Sequence, residues 1–200
     1  MKVKKQNKIN IVYSCVMLLS DLGIDLSFHQ HRMIRNLINK FDLDVNSCTY
    51  SSGRSLIFLK NDKAYQLYLT DELFERILQN LNTSHVIEGV IKHYIIHPKL
   101  NTVEYERIEP IYNVITNCIN VNDTFYSDVY NILESFLKHR IVHGDFCCDN
   151  IGYSSKQKRY IVYDLETIRC MRYGDEDVDR HRFEKSVRFC TKTCWQRVSP

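Results

Sequence analysis

The segment 143–166 constrains the fold of this chain more than any other part of the sequence. Two strand-like runs flank a short polar stretch centred on Gln157, which predicts a β-hairpin. Residues equidistant from the centre of a hairpin face each other a few Å apart. With Gln157 as the centre, Asn150 and Asp164 are expected to lie opposite each other at the open end. An amide oxygen and a carboxylate are therefore predicted to converge there.

The polar side chains of this segment have the chemistry needed to move a phosphate group. Oxygen ligands of this kind suit Mg²⁺, which proteins usually hold with one or two carboxylates together with waters and substrate phosphates. Asp145 lies five residues before Asn150 and can face the same site as a base. A carboxylate that accepts a hydroxyl proton, together with Asn150 and Asp164 on a metal, forms a minimal set for transfer of the γ-phosphate of ATP.

The same segment resembles the catalytic core of the protein-kinase-like superfamily. The shared motifs are His-Gly-Asp at 143–145, Asn-Ile at 150–151 and Asp-Leu-Glu at 164–166. In these details the chain is more similar to the aminoglycoside phosphotransferase, choline kinase and lipopolysaccharide kinase branches than to the protein kinases. The resemblance implies that Asp145 is the catalytic base, that Asn150 and Asp164 bind the metal, and that His143 braces the loop. A hairpin whose ends happen to be polar is the alternative.

The resemblance also implies a fold and a domain organisation. It predicts an α+β, protein-kinase-like two-lobed fold with a small antiparallel-sheet N-lobe and a truncated helical C-lobe. The predicted parts are an N-terminal helical extension (1–42), the N-lobe (43–110) and the C-lobe (111–200). Apolar spacing predicts helices over 27–41, from a Thr70 cap to Asn80, and over 124–140. The predicted N-lobe strands are 48–50, 56–59, 64–69, 86–97 and 102–108.

ATP contacts are predicted in the N-lobe. Gly53 lies in a small-residue loop that lets backbone amides approach phosphates, although an ordinary hairpin turn is an equal alternative. Glu106 and Ile108 belong to the predicted connector between the lobes, where backbone groups would hydrogen-bond an adenine ring. Gln66 stands where the superfamily has a phosphate-binding Lys. Because charge-assisted hydrogen bonds are about twice as strong as neutral ones, another cation is then needed; the candidates are Arg54, Lys60 and Lys63.

Composition is compatible with a soluble globular protein and argues against a nucleic-acid partner. The chain has 200 residues, of which 44% are hydrophobic and 26% charged, and its formal net charge is only +3. The basic and apolar start of the chain, 2–19, superficially resembles a secretory signal but lacks a small-residue cleavage pattern, and its apolar run is too short to span a bilayer. No transmembrane segment is predicted.

The eight cysteines show no repeated pair spacing, which favours reduced thiols and a cytoplasmic location. For two of the cysteines, Cys190 and Cys194, a zinc site that also includes His181 is an alternative. Another alternative is a Cys-dependent hydrolase in which Cys147 or Cys148 is the nucleophile and His143 the base.

Two main functional classes remain open. The first is an ATP- and Mg²⁺-dependent kinase that acts on a hydroxyl-bearing acceptor, either a protein or a small molecule. The second is a catalytically silent, kinase-like binding protein, which Gln66 favours. The acidic cluster 175–179 either attracts a cationic acceptor or forms a solvated loop before a last helix. Only 36 residues follow Asp164, so the predicted C-lobe is abbreviated.

Overall fold

The chain combines helices with small antiparallel sheets in two compact units. The computed structural model describes residues 26–51, 54–116 and 124–198. Unit 1 comprises 1–75 and 94–107, and unit 2 comprises 76–93 and 108–200. The predicted α+β class is confirmed at this level. The units do not follow the predicted division into 1–42, 43–110 and 111–200.

Unit 1 is built on an antiparallel sheet that has five strands in the described part of the chain, in the order β1-β2-β3-β5-β4. Its strands are β1 Cys48–Ser51, β2 Ser55–Lys60, β3 Lys63–Tyr68, β4 Tyr94–His97 and β5 Thr102–Glu106. The strands predicted over 48–69 and 102–108 are confirmed to within two residues. The predicted strand 86–97 is wrong over its first eight residues, because 86–93 forms turns and an isolated bridge at Val90.

Helix α1 (Phe28–Phe41) packs its apolar stripe into the core of unit 1. A capping box fixes its start, since Gln30 N donates to Ser27 Oγ at 3.3 Å and Ser27 N donates to Gln30 Oε1 at 2.8 Å. The core combines the helix stripe with alternate strand residues: Met33, Ile34, Leu37, Ile38, Leu56, Phe58, Tyr65 and Leu67. Phe28, predicted in the stripe, is 85% exposed. It lies roughly 120° around the helix from Ile34, at about 100° per residue.

Unit 2 is mainly helical. Helix α2 (Asp71–Ser84) contains the boundary between the units, and its N-terminus is capped as predicted, because Leu73 N donates to Thr70 Oγ1 at 3.2 Å. The other helices described are α3 (Ile111–Thr116), α4 (Phe125–Lys138) and α5 (Val178–Val198). Strands β7 (Ile151–Ser154) and β8 (Arg159–Val162) form the predicted hairpin, and β6 (Ile141–Val142) pairs with β9 (Arg169–Cys170).

An aromatic cluster forms the centre of unit 2. Phe146 lies in the loop between β6 and β7 and is fully buried, with its ring centroid 6.1 Å from those of Phe136 on α4 and Phe183 on α5. The predicted apolar stripe of α4 is confirmed except at Leu137, which is 43% exposed. Phe146 thus packs the loop against both helices. None of the helices in the described ranges has the length and apolar character needed to cross a membrane.

Candidate functional site

The loop 143–150 follows β6, and α5 holds its main chain in place. Asp179, in the first turn of α5, is buried and accepts hydrogen bonds from two successive backbone amides: His143 N at 2.7 Å on Oδ2 and Gly144 N at 2.9 Å on Oδ1. In the sequence, Asp179 belongs to the acidic cluster 175–179. Helical spacing could have identified Asp179, because it lies on the same face of α5 as the apolar Phe183 and Cys190. All three residues are buried.

A second carboxylate of that cluster, that of Asp175, also accepts hydrogen bonds. Asp175 accepts from both terminal nitrogens of Arg169, at 2.5 and 3.0 Å, and from Arg172 N at 2.6 Å. The Arg169 guanidinium, followed by the Arg172 amide, lowers the pKa of Asp175 to about 2. The interpretation of 175–179 as a solvated loop or an attractor of cations is therefore wrong for Asp175 and Asp179. Glu176 and Asp177 are exposed.

His143 is fully buried and binds the main chain on two sides. Its Nε2 lies 3.3 Å from Tyr163 O, and Asp145 N donates to its Nδ1 at 3.3 Å. Both contacts fit the neutral tautomer that carries its proton on Nε2. Burial lowers the pKa of His143, against the opposing effect of the nearby Asp179 charge. The ring therefore connects the loop to the end of the hairpin as a neutral group.

The backbone turn at Gly144 depends on glycine. Its φ is +82°, and a Cβ there would lie 3.0 Å from Thr167 O. Thr167 also donates its hydroxyl to His143 O at 2.6 Å. The turn therefore directs the chain from the buried His143 to Asp145, which is at the surface.

Asp145 and Asn150 are brought together as predicted. Asn150 is buried, and its Nδ2 donates to the main-chain oxygen of Asp145 at 2.9 Å and to its Oδ2 at 3.1 Å. The other carboxylate oxygen, Oδ1, lies 3.3 Å from Arg182 Nη1. The Asp145 side chain is 49% exposed, so it is accessible from solvent. The carboxylate is thus oriented from both sides and still accessible.

The hairpin register differs from the prediction by one position. Ile151 pairs with Val162 and Ser154 with Arg159, so the turn 155–158 has four residues and its centre falls between two of them. Asn150 is therefore level with Tyr163, whose N donates to Asn150 O at 2.9 Å, and Asp164 comes one residue later.

Asp164 lies at the point where the chain leaves the hairpin. It adopts a left-handed conformation, φ +59°, and opens the turn Leu165–Thr167. Asn80 on α2 is buried and donates to Leu165 O at 2.7 Å and to Glu166 O at 3.3 Å. The sequence predicts Asn80 only as the end of a helix. A partner 85 residues away leaves no local signal.

The Asp164 carboxylate has an unsatisfied oxygen. Oδ1 is buried and has no hydrogen-bond partner in the part of the chain that the structure describes. Burial raises the pKa of Asp164; a hydrogen bond from the Glu166 backbone opposes this, and the Asp145 charge adds to it. A buried carboxylate oxygen without a donor is destabilising unless a cation or a donor completes it.

This unsatisfied oxygen fits a Mg²⁺ ligand. Asn150 donates its amide nitrogen to Asp145, and its amide oxygen is a second oxygen of the type that binds Mg²⁺. Among the described residues, no cluster of three or more His, Cys, Asp or Glu side chains forms a metal site. Mg²⁺ does not require one, because waters and substrate phosphates complete its coordination. The side-chain oxygens of Asn150 and Asp164 are therefore of the chemical type that Mg²⁺ prefers.

Burial and hydrogen bonding argue against a cysteine nucleophile. Burial raises the pKa of Cys147 to about 11 and that of Cys148 to about 12, and the thiolate is the reactive form. Ser186 Oγ donates to Cys148 Sγ at 3.3 Å, and both ring nitrogens of His143 are bonded elsewhere.

The zinc alternative is equally unsupported. On α5, His181 is exposed and Cys190 is buried on the opposite face, so the two side chains do not converge. The side chain of Cys194, the third predicted ligand, lies outside the described residues.

The predicted nucleotide residues in unit 1 are held in its sheet. Gln66 is buried in β3, opposite Val103, and its Nε2 donates to Ser55 Oγ at 3.0 Å. Glu106 ends β5 and is also buried. Gly53 lies outside the described residues.

The candidate cations of unit 1 have partners in the same unit. Lys60 Nζ donates to Phe41 O and Asp42 O at 2.6 and 3.0 Å, and Lys63 Nζ lies 2.6 Å from Glu104 Oε1. Arg54 is exposed. Both lysine ammonium groups are therefore already bonded within unit 1 and are not positioned to bind a phosphate.

Ile108, the remaining predicted nucleotide residue, contacts the hairpin in unit 2. Pro110 forms a bridge with Gly152, and a Cβ on Gly152 would overlap Ile108 Cγ2 and Glu109 O. Glycine is thus required at 152 for the segment 108–110 to pack against β7.

The loop 143–150 and the end of the hairpin together supply three polar side chains to one candidate site. It contains the accessible carboxylate of Asp145, the buried amide of Asn150 and the partly buried carboxylate of Asp164, one oxygen of which is buried without a hydrogen-bond partner among the described residues. Asp179 and Asn80 bind the main chain before and after these residues. No protein-family model matches the chain, and a search of curated proteins likewise found no similar one.

Proposed function

We propose that this protein is a Mg²⁺- and ATP-dependent phosphotransferase that moves the γ-phosphate of ATP to a hydroxyl group of a protein or a small molecule. The observation that carries the proposal is the pair of hydrogen bonds from Asn150 Nδ2 to Asp145. The Asp145 charge acts on Asp164, whose buried Oδ1 has no hydrogen-bond partner among the described residues. An oriented base next to unsatisfied oxygen ligands is what phosphoryl transfer requires of a protein.

Asp145 accepts the proton of the acceptor hydroxyl in this proposal. A general base must reach the proton it removes and must be held in a defined orientation. The half-exposed carboxylate meets the first condition, and the hydrogen bond from Asn150 to Oδ2 meets the second. The buried Asn150 cannot turn away without losing both of its bonds to Asp145.

Asn150 and Asp164 would hold Mg²⁺ through their side-chain oxygens. When bound, the ion supplies positive charge that neutralises the phosphate groups. This role accounts for the buried Oδ1 of Asp164, because a cation would compensate the charge that burial leaves without solvent.

Three further side chains preorganise the site. His143 joins the loop to Tyr163, Asp179 holds two amides of the loop, and Asn80 holds the turn after Asp164. Electrostatic catalysis depends on groups that are already in position before reaction. The predicted cytoplasmic, reducing location is part of this proposal, since the site contains two thiols.

A catalytically silent binding protein is the second candidate, and Gln66 favours it. The amide is neutral, buried and already bonded to Ser55, so it supplies no charge to a phosphate. A wild-type chain that transfers no phosphate, and a Gln66→Lys variant that does, would support this candidate over the first.

The proposal is tested by incubating the purified chain with γ-labelled ATP, Mg²⁺ and a cell lysate as a source of acceptors. Asp145→Ala is the parallel variant. We expect label in an acceptor with the wild type, and a decrease of about 10²- to 10⁴-fold with Asp145→Ala, because the general base is lost. The labelled species identifies the acceptor class. Absence of transfer by the wild type would contradict the proposal.

A further inference from the structure

Arg182 is an exposed cation that contacts the proposed base. It lies on α5, one turn after Asp179, and its Nη1 is 3.3 Å from Asp145 Oδ1. The Arg182 side chain is 52% exposed, and Phe183, the next residue, is buried in the aromatic cluster. The helix that holds the loop therefore also positions this side chain at the site.

We propose that Arg182 is a further catalytic residue, whose guanidinium binds the phosphoryl group during transfer. The inference rests on the proposed function and adds a residue to it. Transfer breaks the bond between the γ-phosphorus and the oxygen that bridges it to the β-phosphate, and the electron pair stays with ADP. A new bond forms between the γ-phosphorus and the acceptor oxygen, whose proton passes to Asp145.

The charges around the site explain why a cation is needed there. Asp145 and Asp164 lie close enough for the charge of one to raise the pKa of the other, and the incoming phosphate is also anionic. Gln66 is neutral, and Lys60 and Lys63 are bonded within unit 1. Arg182 is the cation that contacts Asp145 in the described part of the chain.

The geometry of arginine suits this role. A guanidinium has five N–H donors in a planar fork, and such forks bind the oxygens of phosphates. One terminal nitrogen faces Asp145, and the Arg182 side chain forms no other hydrogen bond or ion pair among the described residues. The remaining donors are thus available for an oxygen of the transferring group, which lies next to Asp145 when that residue accepts the proton.

A purely structural role predicts a different behaviour. Exposed ion pairs contribute little to folding stability. Removing Arg182 should therefore leave the thermal midpoint unchanged, so a loss of transfer would report on the reaction and not on the fold.

The test uses the full chain with Arg182→Ala, Arg182→Lys and a matched control, Lys185→Ala. Lys185 is an exposed cation one turn further along α5, so the control removes the same charge from the same helix. We expect kcat to fall about 100-fold in Arg182→Ala, the usual effect of removing one group that stabilises transition-state charge. KM for MgATP should change little, and Arg182→Lys should recover part of kcat. Lys185→Ala should behave as the wild type.

Binding of a transition-state mimic gives a second readout. The wild type should bind MgADP more tightly when aluminium fluoride, which mimics the transferring phosphoryl group, is present. Arg182→Ala should lose this gain and keep its affinity for MgADP alone.

Equal kcat in Arg182→Ala and Lys185→Ala would overturn the inference while the proposed function stands. A rise in kcat would also overturn it, because it would mean that Arg182 holds Asp145 in an inactive state. Absence of transfer by the wild type and by every variant would instead refute the proposed function, and the inference with it.

Discussion

Among single residues, Asp164 shows most clearly how stability and function oppose each other. Its Oδ1 is buried and unsatisfied among the described residues, and burial raises its pKa. A carboxyl whose folded-state pKa lies above its unfolded value loses its proton more readily when the chain is unfolded. At neutral pH the ionised side chain therefore favours unfolding.

Asp164→Asn should stabilise the protein and abolish phosphate transfer. Asparagine has nearly the same shape and no charge to bury, so we expect the free energy of unfolding at pH 7 to rise by roughly 1 kcal/mol. The difference should shrink as pH falls through the folded-state pKa and vanish below the unfolded value of about 3.9. Urea unfolding at several pH values measures this. A variant less stable than the wild type at pH 7 would contradict it.

At the scale of secondary-structure elements, α5 organises the site. Its buried face supplies Asp179 to the loop amides and Phe183 to the aromatic cluster, and the neighbouring face supplies Arg182 to Asp145. The helix thus orders a loop that has little regular structure of its own.

Asp179→Asn should loosen the loop. An amide has only one oxygen, so either His143 N or Gly144 N loses its acceptor in a buried place. We expect a loss of about 2 kcal/mol in the free energy of unfolding, and slower transfer, because hydrogen bonds to charged groups contribute roughly this much. Denaturant unfolding measures the first effect. Asp177→Asn, an exposed neighbour, is the control; equal stability of the two variants would argue against the anchoring role.

The hairpin shows how far local sequence patterns reach. Strand composition and the polar turn predicted both strands, and motif spacing brought Asp145 and Asn150 together. The register was off by one position, because the centre depends on the backbone of the turn, where Lys158 adopts a φ of +53°. Such a conformation is not visible in the residue types of that turn.

At the scale of the whole molecule, the helices and strands were easier to predict than the distant segments that they contact. Apolar periodicity predicted α1, but it does not say which surface the stripe covers. The helix shares the core of unit 1 with β2 and β3, although the sequence suggested an N-terminal extension. Asn80 and Asp179 were missed for the same reason, since they act on segments 85 and 36 residues away. Only tertiary packing brings these segments together.

The central claim, that the loop 143–150 carries out phosphoryl transfer, is tested most directly by comparing two aspartates of that loop. Asp145→Asn and Asp149→Asn remove the same charge from the same segment, and Asp149 is exposed. We predict that single-turnover transfer from γ-labelled MgATP falls at least about 100-fold in Asp145→Asn and stays near the wild-type rate in Asp149→Asn. Equal rates in the two variants, or no transfer by the wild type, would contradict the account.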